Sequence, residues 1–244
     1  MRRQAGLTLL EVLIAVTLLS ILSVGMMMSM RLGMSALSRT DSKLMDNRRI
    51  AGAQRVLEQE LEGMIPATAP CGADGPNAQN RMIVFSGQAT GLTLVSAFSL
   101  QQAWRDRPQV LQLFTIPDEQ DGGQRLVVNE MPYTGPFSVG QLCLGGDVDP
   151  ESGTRAPRYA PAAAGPKTFV LADHLRTVRF LYLTPGRRPE EPSSWRPVWQ
   201  RGDWPYGIRI EMEPIDPSPG RLQPITVTAP VYFNRNPVIQ YVDK

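Results

Sequence analysis

The sequence predicts an α+β fold, with one long helix at the N-terminal end and an extended, sheet-forming remainder. Two observations predict it. The first proline is Pro66, and all 22 prolines lie at or beyond it. Up to that point apolar residues recur at helical spacing; afterwards they fall in short runs bounded by Gly, Pro, Asp or Asn. Proline removes a backbone donor and clashes with the preceding helical turn, so a Pro-free stretch is where a long helix can persist. The average composition of the 244 residues, 42% hydrophobic and 20% charged, excludes a multi-pass membrane protein and a wholly disordered chain. The net charge of +2 gives no reason to expect nucleic acid as a partner.

From Leu7 to Met30 the only charged residue is Glu11, and Arg2 and Arg3 precede the run. As a helix this stretch is about 36 Å long, enough to cross a hydrocarbon core of about 30 Å. The positive-inside rule keeps the N-terminus cytoplasmic and exports the chain beyond Met30. A cleaved signal peptide has the same basic start, and Ser35-Ala36 offers it a weak small-residue site. Its apolar core is shorter, however, at about 7–15 residues. Neither a signal peptide nor a plain single-span anchor accounts for Glu11, because a charge inside a membrane helix costs roughly 2.5–3.5 kcal/mol at its centre.

The segment Gly6-Leu7-Thr8-Leu9-Leu10-Glu11-Val12 resembles the type IV prepilin signature: a short basic leader ending in Gly, an apolar or aromatic residue, Thr, two apolar residues and Glu. The resemblance implies cleavage between Gly6 and Leu7 by a prepilin peptidase, and N-methylation of Leu7 by the same enzyme. It also implies that Glu11 neutralises the N-terminal amine of a neighbouring subunit. Charge physics agrees with that last role, since a carboxylate and an ammonium are each costly alone in lipid and less so as a pair. Leu7 departs from the Phe usual in the family.

Beyond Met30 the helical pattern continues through Leu37, Leu44, Met45, Ile50, Val56, Leu57, Leu61 and Met64, at intervals dominated by 3, 4 and 7. Pro66 ends it. The predicted organisation is a leader over 1–6, a transmembrane helix over 7–30, an amphipathic continuation over 31–64 and an exported β-rich domain over 65–244. Met26-Met27-Met28 reads as lipid-facing or packing material, since no His or Cys lies near it. In the exported part, strands are predicted at Met82–Phe85, Leu92–Phe98, Val110–Ile116, Leu126–Met131, Thr168–Leu171, Val178–Leu183, Ile208–Met212 and Ile225–Phe233. Asp121-Gly122-Gly123 signals a hairpin. Gly145 to Lys167 reads as a long loop, and Ala172 to Arg176 as a turn.

Cys71 and Cys143 are the only cysteines, and two thiols in an oxidising compartment predict a disulfide. No zinc site and no cofactor motif is predicted: there is one histidine, no Cys-x-x-Cys, no P-loop, no Gly-x-Gly-x-x-Gly and no Gly-x-Ser-x-Gly. His174 reads as structural or surface. Asp147-Val148-Asp149-Pro150-Glu151 offers three carboxylates to calcium but lacks the ligand ladder of a known loop, so a solvated acidic loop is favoured. Trp195, Trp199 and Trp204 are interleaved with Arg196 and Arg201. They fit a sheet core, a subunit-interface hot spot or, least well, a single-strand nucleic-acid platform.

Phe169 to Leu183, the tryptophan-containing loop, and Trp204-Pro-Tyr-Gly-Ile-Arg-Ile-Glu211 are together similar to the J-type minor pseudopilin of type II secretion. Large minor pilins of type IV pili share the pattern. The resemblance implies a non-enzymatic, pilin-like subunit of the bacterial inner membrane, with a periplasmic C-terminal domain. Its implied partners are prepilin peptidase, I- and K-type minor pseudopilins, the major pseudopilin and membrane lipid, with no nucleic acid and no cofactor. A minor pilin of a type IV or DNA-uptake pilus is the near alternative. A membrane-anchored exported enzyme is the distant one, disfavoured because the sequence offers no nucleophile, metal cluster or paired carboxylates.

Overall fold

The computed structural model describes residues 9–71, 81–100, 104–119, 122–149, 153–186, 190–215 and 223–233, without the side chains of 38–51 and 104–106. The fold is a long N-terminal helix followed by an antiparallel β-sheet domain, an α+β arrangement consistent with a pilin-like fold. The chain divides into two compact units, Met1–Asn47 and Arg48–Lys244. Helix α1 runs Leu9–Glu62. Its first 29 residues, Leu9–Leu37, are exposed at every position and form a stretch long and apolar enough to cross a membrane.

The second unit builds its core from the last turns of α1 and the sheet. Its strands are β1 (Thr68–Pro70), β2 (Arg81–Ile83), β3 (Ser86–Gln88), β4 (Gly91–Ser99), β5 (Trp104–Pro117), β6 (Gln124–Pro132), β7 (Cys143–Val148), β8 (Arg155–Tyr159), β9 (Phe169–Thr184), β10 (Ser194–Arg196), β11 (Gly207–Pro214) and β12 (Ile225–Pro230), with a short helix α2 at Pro136–Gly140. The main sheet has the order β12-β11-β9-β6-β5-β4-β3, and β10 pairs with β9. Gly87 and Trp199 exchange backbone hydrogen bonds of 3.2 and 2.8 Å, and Phe180 N–H reaches the Ala89 carbonyl at 3.4 Å. These bonds bring β3 back against β9 and the chain after β10, so the sheet curls on itself.

Strand side chains alternate between faces. Val178, Phe180 and Tyr182 of β9 and Ile208, Ile210 and Met212 of β11 point to one core, which Ala53, Leu57 and Leu61 of α1, with Met64 just beyond the helix, fill from the other side. Each large aliphatic side chain buried this way contributes roughly 1.5–3 kcal/mol. The intervening Arg179, Glu211 and Glu213 face outward, and Arg179 pairs with Glu211 at 2.8 Å. The Tyr182 hydroxyl donates within the core toward the Gln88 and Gly91 carbonyls, at 3.1 and 3.0 Å. Its ring lies where a β-carbon on Gly87 would go, so position 87 tolerates no side chain.

Strands β4 and β5 are buried on both faces. On the far face Val95 and Val110 join Ala67, Ala69, Met82, Val84, Val139 and Tyr159 in a second, smaller core, roofed by β1, β2, α2 and the β7–β8 hairpin. Double burial explains why Leu92 to Phe98 reads as a nearly unbroken apolar run.

Three sequence expectations change. Ala172 to Arg176 is not a turn: β9 runs through it as one strand, accommodated by a left-handed His174 (φ 54°) and register shifts opposite β6 and β11. An irregularity inside a strand does not interrupt its pairing, so the polar residues that suggested a turn mark a bulge. The stretch from Gly145 to Lys167 is not all loop, since it contains most of β7 and the whole of β8. The extended run expected to reach Phe233 leaves the strand after Pro230. The β5–β6 hairpin forms where expected, closed by Asp118 N–H to the Gly123 carbonyl at 2.8 Å, with Gly122 at φ 69°; Asp121 lies outside the described residues.

Candidate functional site

The N-terminal part of α1 is built for an apolar surrounding. Between Leu9 and Leu37 the charged residues are Glu11 and Arg31. The hydroxyls of Thr17, Ser20, Ser23 and Ser35 donate to the carbonyls of Ile14, Val16, Leu19 and Leu32, three or four residues back, at 2.8–2.9 Å. Their polarity is therefore satisfied within the helix, as a non-aqueous surrounding requires. Glu11 lies in the first turn, where the helix dipole favours a negative charge. Gly6 and Leu7 lie outside the described residues.

A segment with these properties invites comparison with known proteins. Residues 1–27 match the family model described as the prokaryotic N-terminal methylation motif. The chain carries a prepilin-type N-terminus. The motif implies processing by a prepilin peptidase and assembly with other pilins, and it supports a type IV pilin-like or pseudopilin subunit. The apolar helix that overlaps it, Leu9–Leu37, is of the kind that anchors prepilin-like proteins in a membrane. No curated protein and no solved structure matches the chain.

In the second unit, Cys71 and Cys143 are joined by a disulfide across 72 residues of chain, with Cα atoms 5.4 Å apart. The bond lies in the smaller core and ties the end of β1 to the start of β7.

The three tryptophans of the Pro-rich loop have different environments. Trp199 is 2% exposed and donates from Nε1 to the Asp203 carbonyl at 2.7 Å, with the Arg201 guanidinium 5.2 Å from its ring centre. Its side chain is core. Trp204 meets Phe233 edge-on at 5.1 Å and packs against the larger core. Trp195 is half-buried on β10, beneath the Arg209 guanidinium at 4.1 Å. Tyr206, just before β11, is exposed.

His174 is exposed at the β9 bulge. Asp147 faces Arg158 at 3.7 Å across the β7–β8 hairpin, and Glu151 lies outside the described residues. Among the described residues, no group of three His, Cys, Asp or Glu side chains is placed to hold a metal ion.

Two polar features went unnoticed in the sequence. Asp118 is fully buried and meets Arg125 at 2.8 Å, which pins the β5–β6 hairpin. Glu60 is 1% exposed at the end of α1, and burial, opposed by the Ser96 hydroxyl and aided by the Glu130 carboxylate, pushes its pKa up to about 7. A signal for Glu60 was present: it lies three residues after Leu57 and four before Met64, on the apolar face.

Proposed function

We propose that this protein is a non-enzymatic minor pseudopilin of the J type, working in the tip complex of a type II secretion pseudopilus. The observation that carries the proposal is the methylation motif at 1–27, leading into a helical stretch, Leu9–Leu37, that is exposed at every position. A helix of this kind is stable where lipid or other helices cover it, first in the membrane and then in a packed filament. The J-like sequence falls on two directly paired strands, β9 and β11, and that sequence likeness is what supports this branch of the family.

In this proposal residues 1–6 are removed as a leader, cleavage follows Gly6, and Leu7 becomes the methylated first residue. The span over 7–30 lies in the inner membrane, 31–64 continues as helix, and 65–244 is periplasmic. Partners are the I- and K-type minor pseudopilins and the major pseudopilin. Glu11 offers its carboxylate to the N-terminal amine of a neighbouring subunit, so that neither charge remains alone in lipid. The motif is equally at home in a minor pilin of a type IV or DNA-uptake pilus, and genetic complementation separates the two. Loss of the gene should abolish export of secreted enzymes and leave twitching and DNA uptake intact; the reverse pattern would assign the chain to a pilus.

The Glu11→Ala variant tests the assembly contact. It should insert and be cleaved like the wild type but fail to co-purify with its pseudopilin partners. Normal secretion in that variant would remove Glu11 from the assembly step.

A further inference from the structure

We propose that Glu60 is a proton-linked latch at the joint between the end of α1 and β4: with its proton the joint is held closed, and loss of the proton lets the end of the helix open from the sheet more readily. This inference concerns the second unit by itself and does not depend on the functional assignment.

The joint is narrow and well defined. The last residue of α1 is Glu62, and the chain then passes alongside β4 on its way to β1. Ile65 N–H donates to the Val95 carbonyl at 2.9 Å, and Ala97 N–H donates to the Gly63 carbonyl at 2.8 Å. Between these bonds β4 is irregular, its register against β5 shifting between Ser96 and Phe98. Ser96 is buried here and its Oγ accepts from Phe98 N–H at 3.2 Å. The fit is close, since a β-carbon on Gly63 would stand 3.0 Å from the Ser96 Oγ.

Glu60 is buried one turn before this joint, beside the core side chains of Leu57 and Leu61, with Met64 just past the helix end. Neither of its carboxylate oxygens has a hydrogen-bond partner of good geometry, and the Ser96 hydroxyl offers it only a weak contact. A bare buried carboxylate is among the costliest groups a core can hold, whereas the neutral acid is tolerated. Two groups on the packed strands bear on it. From β4 the Ser96 hydroxyl favours the ionised form, and from β6 the Glu130 carboxylate opposes it. Glu130 is itself fixed, accepting from Leu100 N–H at 2.9 Å beside the same end of β4.

The closed joint holds the proton more tightly than the open one. Burial raises Glu60 from 4.5 to about 7 in the closed joint, and opening returns it to water and its ordinary value. The closed form therefore keeps a proton that the open form releases. The joint is most stable below pH 4.5, weakens as pH rises from there to about 7, and changes little above that. Each pH unit in this interval is worth about tenfold in the opening equilibrium, so the whole interval is worth on the order of a hundredfold.

Native-state amide hydrogen exchange on the full-length protein in detergent micelles tests this, with protection factors measured between pH 5 and 8. Protection at Ile65 and Ala97 should fall on the order of a hundredfold relative to Ile210 of β11 as pH rises to 7, then level off. In Glu60→Gln, the fall should be absent. A wild type with no pH dependence at these amides, or a Glu60→Gln variant with the wild-type profile, would overturn the proposal. If Glu60→Gln does not fold, Glu130→Gln and Ser96→Ala serve instead. The first should move the levelling point to lower pH and the second to higher pH, and an unmoved levelling point in both would be equally fatal.

Discussion

Leu9–Leu37 and the unit from Arg48 onward treat apolar side chains in opposite ways. In the first, the large aliphatic residues lie outside, with Leu9 84% and Ile14 48% exposed. In the second, residues of the same types are nearly all inside, with Leu57, Leu94, Leu111, Ile208 and Ile210 fully buried. The hydrophobic effect is the same for both, but the covering differs. The domain supplies its own cover, while the helix must obtain it from lipid or from other helices. Substitutions in the domain should therefore register in its own stability, and substitutions in the helix should register in membrane retention and assembly.

The contrast breaks most visibly at the buried ion pair. Asp118→Ala leaves Arg125 without its carboxylate and should cost about 3–5 kcal/mol of domain stability. Urea unfolding in micelles, followed by near-ultraviolet circular dichroism of the tryptophans, reads this directly. A loss under about 1 kcal/mol would mean that the hairpin does not need the pair. Next comes the disulfide. Replacing Cys71 and Cys143 together with Ser frees a loop with a sequence separation of 72 and should cost about 2–4 kcal/mol. The wild type should lose a similar amount under strong reductant, and insensitivity to reductant would show the bond to be dispensable. Leu13→Ala in the exposed helix should have the smallest effect, within about 0.5 kcal/mol in the same unfolding assay. A loss as large as the disulfide's would show that the helix is covered by the domain, contrary to the comparison.

The same contrast explains what could be read in the sequence. A segment whose environment is uniform declares itself by composition alone, and Leu7 to Met30 with a single carboxylate could hardly be anything but a membrane-competent helix. The core side of the end of α1 was legible from the spacing of Leu57 and Leu61, continued by Met64 just past the helix. Strands β4, β5, β6, β9 and β11 were visible because one or both faces are apolar. Strands β1, β7, β8 and β10 were not, since they are short, rich in Pro, Gly or Arg, and held by pairing rather than by an apolar pattern. The bulge at His174 carries polar residues that mimic a turn. Among the tryptophans, spacing could not separate buried Trp199 from half-buried Trp195. Their difference comes from the bridge to Gly87 and the stack with Arg209, both long-range contacts.

The most direct test of the prepilin assignment is the mass and sequence of the mature N-terminus, measured on protein extracted from bacterial membranes that contain a prepilin peptidase. The assignment predicts a chain that begins at Leu7 and carries one N-methyl group, with the unprocessed chain accumulating when the peptidase is absent. A mature chain beginning near Ser35, or one retaining Met1 in the presence of the peptidase, would contradict it.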